Sequence, residues 1–127
     1  MMAYCGGRVV KEYKISLGKN PVGNKQYEGD GRTPEGTYYI DGRNDKSQCY
    51  KNLGISYPAE ADIQRAKKIG EPTGGDIKIH GMLNGYGFIG KFHRWQDWTN
   101  GCIAVTDDEI DELYVHTQTG TPIEIKP

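Results

Sequence analysis

Residues 76–105 read DIKIHGMLNGYGFIGKFHRWQDWTNGCIAV, and this stretch decides the fold class. Asp76 to His80 alternates polar and apolar residues, which predicts a short strand. Ile77 and Ile79 fall on one face of it, and Asp76, Lys78 and His80 on the other. Cys102 to Val105 reads as a second short buried strand or turn. Between them lie about twenty residues rich in glycine and aromatics, with no strand or helix period. An unstructured loop of that length is rare in a compact domain and usually serves function.

Working outward, the elements upstream are strands and turns. Arg8 to Leu17 contains an alternating run at Tyr13 to Leu17, and Thr37 to Ile40 is β-rich. Turns fall at 18–24 and, more strongly, at 29–36, where three glycines and a proline occupy eight residues. Ala59 to Ile69 predicts a helix with Ile63, Ala66 and Ile69 inward and Gly70 as its stop. Downstream, Thr106-Asp107-Asp108-Glu109 is a capping box. It opens a helix expected to reach about Thr119, with Ile110, Leu113 and Tyr114 inward and Gly120 as the stop. Thr121 to Ile125 closes the chain as a strand. Five or six strands against two helices make the domain mainly β, α+β in class.

The chain has 127 residues, one domain's worth, so 1–127 is read as a single unit. Residues 1–7 carry no apolar leader and are expected to be flexible or an addition to the domain. Sixteen Lys and Arg against 17 Asp and Glu leave a net charge of −1, which excludes a nucleic-acid binder held by bulk charge. No apolar run approaches the roughly 20 residues of a membrane span. Three cysteines do not make a disulfide framework.

His80 and Cys102 are the residues most open to chemistry. A loop that closes back on its own strand brings them within reach of each other, and a cysteine needs such a neighbour to act as a thiolate. Gly101 before it lets a backbone N–H approach a substrate oxygen. The commoner alternative, a structural histidine and a buried cysteine, stays open on spacing alone. His80, His93, Cys102 and His116 are 13, 9 and 14 residues apart, without metal-site spacing, so neither metal nor cofactor is expected. His116 is expected to face solvent. Arg32, Lys91 and Arg94 are candidate anion binders beside the cleft.

Together these residues resemble a known family. Ile79-His80-Gly81, the loop, and Thr99-Asn100-Gly101-Cys102-Ile103 are similar to the signature of the L,D-transpeptidase (YkuD-type) catalytic domain. Residues 31–40 resemble that family's strand entry, and Leu53 to Pro58 and Gly120 to Ile125 also fit. The resemblance implies a sandwiched or curved sheet with a loop-capped cleft. It implies a cysteine enzyme of peptidoglycan stem peptides, acting in the periplasm or cell envelope and bearing on cell wall and cell shape. Cys102 would form a thioester with release of D-Ala, and an amine or water would resolve it. Trimming, D-amino-acid exchange and a non-catalytic peptidoglycan-binding module are the alternatives. His80 would be the base, oriented by the Gly81 carbonyl, with N–H groups of Gly101, Cys102 and Asn100 as the oxyanion hole. Asn100, Arg32, Trp98 and Arg94 would bind substrate, the loop aromatics would shield the thioester, and one copy would act alone. Two positions depart from the pattern: Asn100 stands where the family commonly has His, and Ala104 where it commonly has Arg.

Overall fold

A computed structural model describes the backbone of all 127 residues and every side chain except those of Lys91, Arg94 and Trp95. The strands are β1 (Met2–Cys5), β2 (Arg8–Glu12), β3 (Gly36–Ser47), β4 (Tyr50–Ile55), β5 (Lys78–His80), β6 (Ile103–Ala104) and β7 (Pro122–Ile125). The helices are α1 (Glu60–Ile69) and α2 (Asp107–His116). Five strands form one sheet in the order β6-β5-β4-β3-β7, and β1 and β2 form a separate hairpin. All pairs are antiparallel except β5–β6, which is parallel. The fold is mainly β with a mixed sheet and two helices, as the residue patterns predict.

Alternation builds the core. Ile77, Ile79, Ile103 and Val105 turn inward to meet Leu53, Ile55, Ile40 and the α2 residues Ile110 and Leu113. Full burial of such a side chain contributes about 1.5–3 kcal/mol. α2 starts as its capping box dictates: Thr106 Oγ1 accepts from the Glu109 N–H at 3.3 Å, and Glu109 Oε1 accepts from the Thr106 N–H at 2.9 Å. It ends at His116, four residues before Gly120.

Several details differ from the sequence reading. In α1 the buried residues are Asp62 and Ala66, while Ile63 and Ile69 are 41% and 51% exposed. The cause is polar: Asp62 accepts from the Ala59 N–H and the Tyr38 hydroxyl and pairs with Arg65, so the helix docks by its carboxylate. Residues 1–7, set aside above, include β1, and the Met1 carbonyl accepts from the Tyr13 N–H. Only Arg8–Glu12 of the first expected strand belongs to the hairpin, and Ser16 instead makes an isolated bridge to Ala104. The loop after Gly81 holds 3₁₀ turns over Gly87–Trp95, broken at Gly90, whose φ is 51°. Ser16 Oγ donates to the His93 carbonyl, Asp97 accepts from the Leu17 N–H, and Thr99 pairs with Leu17 and Lys19. The loop's C-terminal half is therefore tied to the segment that precedes the sheet.

Candidate active site

The β5–β6 register pairs Ile79 with Ile103, which places Cys102 level with Lys78 and makes His80 its diagonal neighbour on the face opposite the core. His80 and Cys102 line one cleft of about 290 Å³. Lys78, Asn52, Asp76 and Cys49 line it as well. The structure thus brings together the two residues singled out for chemistry.

His80 is 7% exposed, and its Nδ1 lies 2.6 Å from the Gly81 carbonyl. A carbonyl only accepts, so Nδ1 carries the proton and Nε2 is left with its lone pair. Burial lowers the imidazole's pKa below 6.5, the Gly81 carbonyl opposes the shift, and the Lys78 charge adds to it. A neutral imidazole at neutral pH can accept a proton. Trp98 packs edge-on against the ring, with centroids 5.6 Å apart.

The Cys102 thiol donates to the Asp76 carbonyl at 3.2 Å. Burial raises its pKa above 9.0, and the Lys78 N–H and ammonium pull it down. At rest the site therefore pairs a neutral thiol with a neutral base. Asp76 reaches this pose with φ at 57°, a left-handed conformation that Asp tolerates better than most residues. Cys49 shares the cleft, but burial and then the Asp107 charge raise its pKa, so it stays a thiol.

Glycine is needed at two positions. A Cβ on Gly101, whose φ is 133°, would sit 2.7 Å from the Arg32 carbonyl. The Gly101 N–H donates to Thr99 Oγ1 at 3.1 Å. The Cys102 N–H has no protein acceptor among the described residues and remains as a donor. A Cβ on Gly81 would sit 2.6 Å from Asp107 Oδ1. That oxygen accepts from the Met82 N–H at 2.8 Å. The Met82 N–H and the Gly81 carbonyl belong to one peptide unit, so Asp107 fixes the group that orients His80. The capping box located Asp107 in the sequence without revealing this contact.

Of the expected substrate binders, Trp98 stands against His80. Asn100 is exposed one residue before Gly101. Arg32 is not among the residues lining the cleft: its guanidinium lies beside Gly23, and its carbonyl rather than its charge meets Gly101. The Arg94 side chain lies outside the described residues, as do those of Lys91 and Trp95. His93 is buried against Ser16, and His116 is exposed on α2. Trp98 also lines an apolar cavity of about 350 Å³ with Met82, Tyr86 and Phe92. Among the described residues no group of three His, Cys, Asp or Glu is placed to hold a metal ion. Sequence reasoning missed Asn52 and Lys78. Lys78's place on the His80 face was the signal available for it, whereas Asn52 depends on the β4–β5 register.

A sequence family described as the L,D-transpeptidase catalytic domain (YkuD) matches residues 1–125. No curated protein matches. Bd1075 of Bdellovibrio bacteriovorus is 25% identical with a TM-score of 0.60, over 94% of this chain and 39% of that one. A single-residue variant of the helical cell shape determining protein Pgp2 of Campylobacter jejuni is 25% identical with a TM-score of 0.67, over 95% and 41%. An L,D-transpeptidase from Mycobacterium smegmatis, 13% identical with a TM-score of 0.56, shares the fold over 95% and 51%. The chain spans about two fifths of the length of the first two.

Proposed function

Because the chain belongs to the L,D-transpeptidase catalytic domain (YkuD) family, we propose that it is a cysteine acyltransferase of peptidoglycan stem peptides in the cell envelope. What supports this most is the 2.6 Å contact of His80 Nδ1 with the Gly81 carbonyl, which leaves Nε2 as a base in the cleft that Cys102 shares. Nε2 takes the thiol proton as Sγ attacks the carbonyl of the stem's diamino acid. The oxyanion accepts a hydrogen bond from the Cys102 N–H, an interaction typically worth about 2.7–4 kcal/mol in the transition state. The C–N bond breaks, the imidazolium hands its proton to the departing amine of D-Ala, and a thioester remains. An acceptor amine attacks the thioester and gives its proton to His80, and the C–S bond breaks to restore the thiol. A second stem as acceptor gives a cross-link, a D-amino acid gives exchange, and water gives trimming. The similarity to a helical cell shape determining protein extends the proposal to wall remodelling that sets cell form.

The test is incubation with a purified tetrapeptide muropeptide, followed by mass spectrometry. The expected products are free D-Ala with a cross-linked dimer, and the tripeptide to the extent that water competes. An unchanged muropeptide, alone and with added D-amino acid, refutes the proposal.

A further inference from the structure

Asn52 is 5% exposed and lines the cleft. An amide at the wall of an open cleft can donate to a ligand that enters it. Asn52 stands directly opposite His80 in the β4–β5 register. On the other side, Lys78 precedes His80 by two residues on the same face of β5. Lys78 is the one cation among the described residues lining the cleft. Its partner is loose: Asp76 lies 3.5 Å away with its side chain 91% exposed, and such pairs are worth little. Ala104, across from His80 on β6, is fully buried and carries no charge. The base is therefore flanked by an amide at the cleft wall and an ammonium that is free to change partners.

The reaction proposed above says what belongs there. His80 returns its proton to the amine of the residue that leaves, and that residue's α-carboxylate is two bonds from the same nitrogen. Groups that hold the carboxylate must be neighbours of the group that protonates the amine. The carboxylate at the far end of a diamino acid side chain is many bonds away, on the acyl side.

We propose that Lys78 and Asn52 form the subsite for the α-carboxylate of the leaving residue, so that the cleft selects stems ending in a free carboxylate. The ammonium neutralises the charge, and the Asn52 amide donates a hydrogen bond to the second oxygen. This inference rests on the reading of the cleft as an acyl-transfer site.

The test compares three tetrapeptide stems: the free acid, its C-terminal amide, and a stem amidated only at the far carboxylate of the diamino acid. Wild type should prefer the free acid over the terminal amide by roughly 10- to 100-fold in kcat/KM, the range of one charge-assisted contact. The far amide should be used as well as the free acid. Lys78→Met also removes a charge felt by His80 and Cys102 and so acts on both stems, but the free acid should lose that further factor, mainly through KM, so that the preference for it disappears. Lys78→Arg should restore most of it. Asn52→Asp, which keeps the size but sets a negative charge against the carboxylate, should also penalise the free acid selectively. Equal use of acid and terminal amide by wild type, or an equal loss on both in Lys78→Met, overturns the subsite. Sensitivity to the far amide instead overturns the choice of carboxylate. If no stem is turned over, acyl transfer fails as a reading, and calorimetry on Cys102→Ala judges the subsite alone. Tighter binding of the free acid, erased by Lys78→Met, supports it, and equal binding of acid and amide overturns it.

Discussion

Replacing Asp107 should disable His80 from two hydrogen bonds away. The carboxylate accepts from the Met82 N–H at 2.8 Å, and the carbonyl of the same peptide unit holds His80 Nδ1 at 2.6 Å. A hydrogen bond to a charged group contributes about 1.5–3 kcal/mol, and a carboxylate at a helix N-terminus about 0.3–1 kcal/mol. Asp107→Ala should thus cost about 2–4 kcal/mol of stability. If about 1.4–2.8 kcal/mol of that is felt at the imidazole in the transition state, kcat/KM falls roughly 10- to 100-fold. Asp107→Asn keeps an acceptor for the Met82 N–H but removes the charge, so only about 0.5–1.5 kcal/mol, the worth of a neutral hydrogen bond, should return. The imidazolium then loses the favourable charge transmitted through the peptide, and the acid limb of the rate profile moves to lower pH. The assay is kcat/KM for release of the terminal residue from about pH 5 to 9, well below the melting temperature of each variant. A wild-type pH profile in Asp107→Asn, with an Asp107→Ala loss that only follows the unfolded fraction, would refute the argument.

The other expected outcomes concern His80, Asp30 and Trp98. In wild type, kcat/KM should fall with acid through a pKa below 6.5, because burial depresses the His80 value and the neutral ring is the working form. His80→Ala should abolish turnover at every pH, whereas His93→Ala should lower the melting temperature without removing the base. Asp30→Ala strands the buried Lys25 ammonium, 2.9 Å from its partner, and should cost about 3–5 kcal/mol by thermal or denaturant unfolding. Burial pushes the Asp30 carboxyl up, but the Gln26 N–H, the Lys25 ammonium and the Arg32 and Tyr27 N–H groups outweigh it and hold it below 3.8. The stability this carboxylate contributes is therefore present above about pH 3.8 and lost as pH falls through its lowered pKa. Trp98→Ala removes the ring packed against His80 and should raise the ratio of tripeptide to transfer product. An unchanged ratio with lower total activity would make the indole plain packing.

Short-range signals were the legible ones. The alternation of DIKIH placed His80 and Lys78 on one face and the isoleucines on the other, and the Thr106 to Glu109 box fixed the start of α2. The fate of Asp62 was not legible, because its burial depends on the Tyr38 hydroxyl 24 residues away. Helical periodicity therefore chose Ile63 and Ile69. Gly101 was expected as a route for substrate to an N–H. It is required by the Arg32 carbonyl, a contact made across the fold. The Asp107 contact through the Met82 N–H, and Asn52 beside His80, depend on strand register and loop closure, which no local pattern encodes.

In the proposed reaction Cys102 carries the acyl group. The most direct measurement is intact-protein mass spectrometry of enzyme quenched during turnover of the tetrapeptide stem, with peptide mapping of any adduct. The expected result is an increase equal to the stem minus its terminal D-Ala, located on Cys102, discharged by an added amine and absent from Cys102→Ala. An adduct on Cys49, or D-Ala release that persists in Cys102→Ala, would contradict it.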